Sequence, residues 1–284
     1  MDWKEGHLIK IPKKGDLSKC ENYRGITLLS IPGKVFNRVL LNRMKDAVGA
    51  RFRDQQAGFR KDRTCTDQIA TLRNSPLYIN FIDYEKVFGS VDRRKSWELL
   101  QHYGVPEKIV NNIIRNSYDG IQCKVVYGGQ LTDVFLVRTG VRQGCLLSFF
   151  LFLLMVDWIR KTLASEGKHG IQWTAQNQVD DLDFADDLAL LSHTHKKMQI
   201  KTAIVAAVSA SLCLNIHKRK TKFLKYNTEN SNPITLDDEI LGDVESSTYL
   251  GSIIDEQGGY GTDVKSWIGK AWVAFLQLSH SVTT

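Results

Sequence analysis

The sequence predicts an α+β protein organised around a β-hairpin whose tip carries two carboxylates. Residues 179–184 and 188–191 show recurring apolar positions on either side of a short turn, which is typical of two half-buried strands. An apolar, β-rich run at 77–82 predicts a third strand that ends at Asp83. Apolar residues at helical spacing, clearest over 36–48, predict helices that pack against these strands.

Three acidic residues stand at the ends of the predicted strands. Asp186 and Asp187 form the hairpin tip, and Asp83 follows the upstream strand. Two adjacent carboxylates repel each other unless a cation lies between them, and oxygen ligands of this kind suit Mg²⁺. If the strand at 77–82 lies beside the hairpin, the three side chains could hold two Mg²⁺ ions roughly 3.5–4 Å apart for in-line phosphoryl displacement.

The positive charge is concentrated at the start of the chain. The net charge is +7, and the first 73 residues contain 16 Lys and Arg against 8 Asp and Glu. A basic segment opposite an acidic centre suits a polyanionic substrate, while a merely solvated basic surface is the alternative. Five cysteines without a C-x-x-C pair predict a reducing compartment, and an N-terminus without the apolar core of a signal peptide predicts that the protein is not secreted.

Other classes of site and location fit the sequence poorly. The longest apolar run, at 149–156, is far shorter than the ~20 residues that span a bilayer, so it predicts a buried helix and no membrane contact. His193 and His195 have no third metal ligand nearby, which disfavours zinc. The segment 180–187 lacks the glycine and terminal glutamate of a Ca²⁺-binding loop.

The N-terminal part predicts a basic ribbon followed by a helix. Strands at 7–11 and 21–29 are followed by a helix from Pro32 to Gly49, because proline suits a first helical turn and glycine ends a helix. The helix places Lys34 and Arg38 outside and an apolar face inside: Phe36, Leu40, Met44 and Val48. A glycine-bearing loop at 56–63, a short helix at 66–73 and an abrupt break at 74–76 are expected next.

The middle of the chain predicts two helices, a hairpin and a functional turn. The helices are expected at 92–103 and from Pro106, and the hairpin at 121–127 and 131–137 has a glycine turn. The turn at 140–145 carries Arg142 and Gln143 between two glycines. This arrangement would let the main chain approach a ligand, although an ordinary loop leading into a helix at 146–160 explains it equally well.

The C-terminal part predicts an amphipathic helix, a basic strand, small ribbons and a last helix. In the helix at 197–212, the residues expected inside are Ile204, Val208 and Leu212. The remaining elements are a strand at 215–225, ribbon strands at 234–241 and 248–254, and a helix at 263–278.

Six motifs occur in a fixed order along the chain and together resemble the reverse transcriptase of non-LTR (LINE-like, RTE-type) retrotransposons. They lie at 81–88 (FIDYEKVF), 140–148 (GVRQGCLLS) and 184–187 (FADD), with two upstream motifs at 22–26 (NYRGI) and 56–60 (QAGFR) and a palm-ending segment at 249–252 (YLGS). A lone ADD sequence at a hairpin tip would be weak evidence for the resemblance, but the ordered set of motifs is highly specific and covers nearly the whole chain.

The resemblance implies a right-hand polymerase with fingers, a palm built on an antiparallel sheet with helices behind it, and the start of a thumb. The implied parts are fingers at 1–76, the first catalytic palm strand at 77–95, a fingers–palm connection with a hairpin at 96–140, the palm with the catalytic hairpin at 141–256 and a truncated thumb at 257–284. The implied enzyme is an RNA-directed DNA polymerase that binds an RNA template, a DNA primer and dNTPs. It would use two Mg²⁺ ions, with Mn²⁺ as an alternative, and derive from a longer polyprotein with an endonuclease.

The resemblance also implies roles for individual residues. Asp83 and Asp186 correspond to the principal Mg²⁺ ligands and Asp187 to the supporting carboxylate. Phe88 corresponds to a steric gate, an aromatic ring beneath the sugar that excludes a 2′-hydroxyl. Lys220 corresponds to a catalytic lysine that protonates the leaving pyrophosphate. The resemblance also implies five dNTP-site residues, which are Arg24 and Lys34 for the triphosphate, Tyr84, Gln143 near the nascent base pair and Gly144 beside the template.

Two residues depart from the family pattern. Gly89 stands where the family has Asp, and Phe149 where it has Pro. These departures, the short join near Asn74 and the truncated thumb are the grounds for an alternative function. In that alternative, the chain is a catalytically dead retroelement remnant that at most binds nucleic acid.

Overall fold

The computed structural model describes most of the chain, in eleven segments. These are residues 4–13, 15–19, 22–49, 51, 77–165, 171–172, 178–179, 181–184, 187–226, 232–249 and 252–256. Four predicted segments lie outside the described residues: the loop at 56–63, the helix at 66–73, the break at 74–76 and the last helix at 263–278.

The described residues form sixteen strands and six helices. The strands are β1 (Glu5–Pro12), β2 (Tyr23–Leu29), β3 (Leu77–Ile82), β4 (Gln122–Tyr127), β5 (Gln130–Leu131), β6 (Phe135–Leu136), β7 (Ile171–Gln172), β8 (Gln178–Val179), β9 (Asp181–Phe184), β10 (Asp187–Ser192), β11 (Lys222–Tyr226), β12 (Thr235–Leu236), β13 (Glu239–Ile240), β14 (Gly242–Asp243), β15 (Ser246–Tyr249) and β16 (Ser252–Asp255). The helices are α1 (Ile31–Gly49), α2 (Val87–Ser90), α3 (Arg93–His102), α4 (Glu107–Ile109, Val110–Arg115 and Asn116–Tyr118, with a π-helical centre), α5 (Leu146–Ser165) and α6 (His195–Ser211).

The chain divides into two compact units that both draw on distant parts of the sequence. The first unit is Met1–Arg53, Tyr84–Thr162 and Ala207–Asn215, and the second is Asp54–Asp83, Leu163–Ala206 and Ile216–Thr284. This division assigns most of α5 to the first unit, whereas the resemblance implies a palm that runs from 141 to 256. The boundaries of fingers, palm and thumb stay a prediction.

The first unit contains the predicted basic ribbon. Strands β1 and β2 pair antiparallel from Gly6 opposite Leu29 to Pro12 opposite Tyr23, so the ribbon prediction is confirmed. Strand β4 adds to β1 in parallel and pairs antiparallel with β5 and β6, which confirms the predicted hairpin. The result is a five-stranded sheet with the order β2-β1-β4-β5, in which β6 also pairs with β4.

The helices of the first unit bury the faces that the sequence predicts. In α1, Leu40, Met44 and Val48 are buried while Lys34 and Arg38 are exposed. The side chain of Asp92 accepts a hydrogen bond from the Lys95 amide at 2.9 Å and caps α3. Helix α5 is buried over nearly all of its apolar length and runs to Ser165, further than predicted. Among the described helices, none is both long and apolar enough to cross a membrane.

The second unit is built on a five-stranded sheet with β3 at its centre, in the order β14-β11-β3-β10-β9. One face of this sheet is covered by the hairpin β15–β16 through a buried cluster: Ile79, Ala189, Leu191, Leu224, Tyr249 and Ile254. The side chain of Asn80 points the other way and donates to Thr202 Oγ1 of α6 at 2.9 Å. Because both faces are covered, the strands can be apolar throughout.

The predicted inward face of α6 is wrong for Ile204 and Val208, although Leu212, just after the helix, is buried as predicted. Ile204 and Val208 are only partly buried, whereas Val205 and three polar residues, Lys201, Thr202 and Ser209, are fully buried. Hydrogen bonds make this burial tolerable: Lys201 Nζ donates to the Leu191 carbonyl at 2.7 Å. Apolar periodicity therefore misplaced the helix face.

The predicted basic strand at 215–225 is also corrected. Only Lys222–Tyr226 forms a strand, and the residues before it form a turn in which the amides of Lys220 and Thr221 both donate to the His217 carbonyl at 2.9 Å. These turn hydrogen bonds replace a strand partner.

Removal of the Phe152 ring should test how tightly the first unit is packed. Phe152 is fully buried, and its ring meets those of Tyr84 and Phe88 at centroid distances of 6.5 and 6.1 Å. Phe152→Ala should lower the free energy of unfolding by roughly 3–5 kcal/mol in a denaturant titration, because it leaves a cavity. Leu146→Ala, at a 47% exposed position of the same helix, is the control and should cost less than about 1 kcal/mol.

Candidate active site

Asp83 is held by its main chain while its carboxylate remains accessible. It directly follows β3, its amide donates to Thr221 Oγ1 at 3.3 Å and its carbonyl accepts from the His217 amide at 2.7 Å. Its Oδ2 lies 3.8 Å from Lys220 Nζ, and the side chains of Asp83 and Lys220 are 45% and 63% exposed. The turn 217–221 therefore fixes where this carboxylate emerges from the sheet.

The strand that leads to Asp83 lies beside the carboxylate hairpin, as predicted. Strand β10 pairs antiparallel with β9, which confirms the hairpin, and with β3 through Leu188 opposite Ile82. One more step along this register brings the main chain of Asp187 opposite Asp83. Directly opposed residues of antiparallel strands have Cα atoms about 4.5–5.5 Å apart.

The surroundings of Asp83 fit a divalent cation bound by oxygen. The carboxylate lines a small cavity of about 170 Å³ with Lys220, Lys222 and residues 247–249, and its ion pair with Lys220 at 3.8 Å is exposed to solvent. Mg²⁺ takes few protein carboxylates and keeps several waters, so an exposed carboxylate suits it. No group of three potential ligands occurs among the described residues; Asp186 and the side chain of Asp187 lie outside them.

In the first unit, one loop ties several predicted nucleotide contacts together. This loop, residues 137–145, is here called the Gln143 loop. The amide of Val141 donates to the Phe88 carbonyl at 2.7 Å, and the carbonyl of Gln143 accepts from the Thr27 amide of β2 at 2.8 Å. The loop therefore joins the segment that carries Phe88 to the strand that carries Arg24.

Both glycines of the Gln143 loop are required by protein contacts. Gly140 has φ +70°, and a Cβ there would lie 2.5 Å from the Phe88 carbonyl oxygen. Gly144 has φ +99°, and a Cβ there would lie 3.0 Å from the Thr27 carbonyl oxygen. The sequence predicted close approach of this main chain to a ligand; the structure supplies a different partner, the neighbouring main chain. The contact between Gly144 and a template stays a prediction.

The ring of Phe88 rests on an aromatic neighbour that sequence reasoning treated only as a departure. Its centroid lies 5.1 Å from that of Phe149, with the rings tilted by 59°. Edge-to-face and tilted pairs at this distance are favourable. Phe149 therefore supports the predicted steric gate from the first turn of α5.

One predicted contact, Tyr84, and one residue of the predicted functional turn, Arg142, are turned away from solvent. The Tyr84 ring is 5% exposed, its hydroxyl shares a hydrogen bond of 3.1 Å with Ser209 Oγ, and burial raises the pKa of Tyr84 to about 12. Only the main chain of Tyr84 is left for a nucleotide. The Arg142 guanidinium, which the sequence placed on the turn, is buried and donates to the Ser117 carbonyl at 3.0 Å. Arg24 and Lys34, by contrast, are exposed.

One known family model matches most of the chain. The model of the family described as "Reverse transcriptase (RNA-dependent DNA polymerase)" matches residues 11–254. The chain belongs to the reverse transcriptase family. The match spans Asp83, the Gln143 loop and the carboxylate hairpin.

Two of the relatives come from non-LTR retrotransposons of insects. The chain is 28% identical to the Retrovirus-related Pol polyprotein from type-2 retrotransposable element R2DM of Drosophila melanogaster, over 67% of the chain and 18% of that protein. It is 31% identical to the Pol polyprotein from retrotransposable element R2 of Popillia japonica, over 72% of the chain and 30% of that protein. The chain therefore spans less than a third of these relatives. The RTE-type assignment stays a prediction.

A solved telomerase structure shows the same fold. The structure of apo telomerase from Candida tropicalis, truncated from its C-terminal domain, matches with a TM-score of 0.63 at 15% identity, over 89% of this chain and 53% of that one. The predicted right-hand polymerase fold of class α+β is thereby confirmed.

Sequence reasoning missed three residues that hold predicted site residues in place, one in the second unit and two in the first. Thr221 accepts from the Asp83 amide, Phe149 supports Phe88, and Arg93 binds the Gln143 loop. A threonine after a basic run and an arginine at a helix start resemble surface residues. Only the departure of Phe149 from the family pattern marked it in advance.

The two glycines beside the Phe88 segment should respond oppositely to alanine. Gly89 lacks a left-handed φ, and a Cβ there meets nothing within 4 Å, so Gly89→Ala should raise the free energy of unfolding by about 0.4–1 kcal/mol. Gly140→Ala should lower it by about 1–3 kcal/mol, because both its φ and the Phe88 carbonyl oppose a side chain. Denaturant titration of both variants measures this; equal responses would contradict the geometry.

Proposed function

We propose that the chain is the reverse transcriptase domain of a non-LTR retrotransposon that adds dNTPs to the 3′-hydroxyl of a DNA primer on an RNA template, with release of pyrophosphate. The observation that carries the proposal is the pairing of β3 with β10 through Leu188 opposite Ile82, the residues next to Asp187 and Asp83, in a chain that belongs to the reverse transcriptase family. We further propose that Asp83, Asp186 and Asp187 hold two Mg²⁺ ions.

The residues of the second unit would supply charge where phosphate reacts. When bound, two divalent ions would stabilise the charge on the attacking and leaving oxygens. Lys220 lies 3.8 Å from the Asp83 carboxylate and is mostly exposed, so its ammonium can reach a phosphate beside that carboxylate. In this proposal Lys220 gives a proton to the leaving pyrophosphate. Placement and charge carry such phosphoryl transfer, and no covalent enzyme intermediate is needed.

The residues of the first unit would select and hold the nucleotide. Phe88 would lie under the sugar and exclude a 2′-hydroxyl, Gln143 would lie near the nascent base pair, and Arg24 and Lys34 would neutralise the triphosphate. The exposure of Arg24 and Lys34 supports these roles, as does the Gln143 loop, which links Phe88 to β2 by hydrogen bonds. The RNA template, the DNA primer and derivation from a longer polyprotein belong to the same proposal.

The alternative, a catalytically dead remnant, gains little from the described residues. Gly89 stands in open space, so the missing Asp removes no packing contact, and Phe149 packs against Phe88. Neither departure disturbs Asp83 or the turn that holds it. An activity measurement decides between the two.

Asp83→Asn should abolish DNA synthesis without unfolding the protein. The amide keeps the shape of the side chain but loses the charge that would bind Mg²⁺, so incorporation should fall at least ~10²–10³-fold. The assay is incorporation of dTTP on poly(rA)/oligo(dT) with Mg²⁺, alongside Asp186→Ala, which should behave in the same way. Glu85→Gln is the matched control, since it neutralises an exposed carboxylate two residues away and should leave incorporation unchanged.

Three outcomes of this assay separate the hypotheses. Full activity of the Asp83→Asn variant would reject the site. No template-dependent incorporation by the unmodified chain, together with salt-sensitive RNA binding, would favour the remnant, since phosphate contacts weaken steeply with salt. If Glu85→Gln also lost activity, the loss in Asp83→Asn would reflect the removal of a negative charge in general and not the removal of a specific Mg²⁺ ligand.

Phe88→Ala should admit ribonucleotides. Removal of the ring opens the space that a 2′-hydroxyl needs, so the preference for dTTP over UTP should fall by ~10-fold or more. Phe149→Ala should reduce the preference less, because the gate ring remains but loses its neighbour. Phe135→Ala, at a 42% exposed position on β6, is the control. An unchanged preference in Phe88→Ala would count against the gate.

A further inference from the structure

Arg93 binds an unusual number of main-chain carbonyls. Its Nε donates to Gly140 at 2.7 Å, its Nη1 to Tyr118 at 3.2 Å, and its Nη2 to Val137 at 3.0 Å and Thr139 at 3.4 Å. Three of these four carbonyls belong to the Gln143 loop. The planar guanidinium of arginine presents several N–H donors in fixed directions, and Arg93 uses them to bind several carbonyls at once.

These hydrogen bonds replace the regular pairing that the loop lacks. The Gln143 loop runs between β6 and α5 without helix or strand structure. Gly140 is buried and Val137 is partly buried, and a carbonyl that is shielded from water without a donor is costly. Arg93 is partly buried and its guanidinium also lies over the Tyr118 ring, 5.5 Å from its centroid. Burial lowers the pKa of Arg93, yet a guanidinium keeps its charge in proteins.

Arg93 also stands next to the segment that the loop contacts on its other side. Phe88 lies in α2, and Arg93 opens α3, whose N-terminus is capped by Asp92. The loop lies against the main chain of Phe88 and Gly89 through Gly140 and through the Val141 amide. The same short stretch of chain therefore presents the gate ring and the group that holds the loop against it.

We propose that Arg93 is a positioning residue for nucleotide selection: by binding the carbonyls of Val137, Thr139 and Gly140 it holds the Gln143 loop against the Phe88 segment. This inference rests on the proposed function. Arg93 touches no nucleotide in this account. It sets the distance between the residue near the base pair, Gln143, and the ring under the sugar.

A loop held by main-chain contacts should loosen when its donors are removed. In Arg93→Met, a side chain of similar length without donors, we expect hydrogen exchange in peptides covering 137–145 to rise ~10-fold or more, because hydrogen bonds to charged groups are lost. Peptides from the buried part of α5 should exchange as before. Arg93→Lys keeps the charge and a single donor group, so it should give an intermediate increase.

KM and the preference for dTTP over UTP distinguish positioning from simple destabilisation, because a loss of folded protein lowers total activity but leaves both quantities unchanged. In Arg93→Met the KM for dTTP should rise, and the preference for dTTP over UTP should fall, each by ~10-fold, with kcat changed less than about threefold per folded molecule. Arg93→Lys should recover part of both. Arg94→Met is the matched control, because Arg94 is the exposed neighbour on α3, and it should change neither exchange nor selection.

Each result bears on one proposal. Unchanged exchange in the loop, or a loss of activity that only follows the folded fraction with KM and sugar preference unchanged, overturns the positioning role and leaves the proposed function standing. If Arg93→Met fails to fold, Arg93→Lys decides by the same readouts. If the unmodified chain incorporates no dNTP, the proposed function fails, and loop exchange alone decides whether Arg93 holds the loop.

Discussion

The antiparallel pairing of β3 with β10 is the constraint on which the candidate site depends. It joins segments about a hundred residues apart, so it closes a long loop at an entropic cost that local contacts cannot offset. Burial of Ile79, Ala189 and Leu191, together with Leu224 of β11, offsets that cost by removing apolar surface from water. Asp83, which follows β3, and Asp187, which begins β10, lie at the same end of this strand pair because the apolar strands must pair in this register.

Main-chain contacts play a similar part in the first unit. The Gln143 loop has no regular structure of its own, and it is held by the Phe88 carbonyl, the Thr27 amide and the Arg93 guanidinium. Its two glycines have left-handed φ angles, which any other residue would adopt only with strain. Precise placement of a polymerase loop can therefore rest on the backbone, with side chains left free for substrate.

The departures from the family pattern have local consequences that the structure makes clear. Phe149 adds an aromatic neighbour to Phe88, and Gly89 leaves open space in the adjoining turn. Both changes lie beside the proposed steric gate in the first unit, whereas Asp83 belongs to the second unit. They bear on how well the site would choose its nucleotide more than on whether it would bind metal, because the turn 217–221 holds Asp83 independently.

The sequence by itself determined the elements and the family. Alternation and apolar spacing placed the ribbon β1–β2, the helix α1 and the strand before Asp83, and the ordered motifs predicted the right-hand polymerase fold. Polar contacts between distant segments were decided only by the tertiary structure. The burial of the Tyr84 hydroxyl and the hydrogen bonds of Arg93 to the Gln143 loop depend on partners far away in the chain. The burial of Lys201 and the turn before β11 depend on carbonyls nearby in the chain, in conformations that apolar periodicity does not reveal. Periodicity reports which residues avoid water, but a polar side chain is buried only where folding brings it a partner.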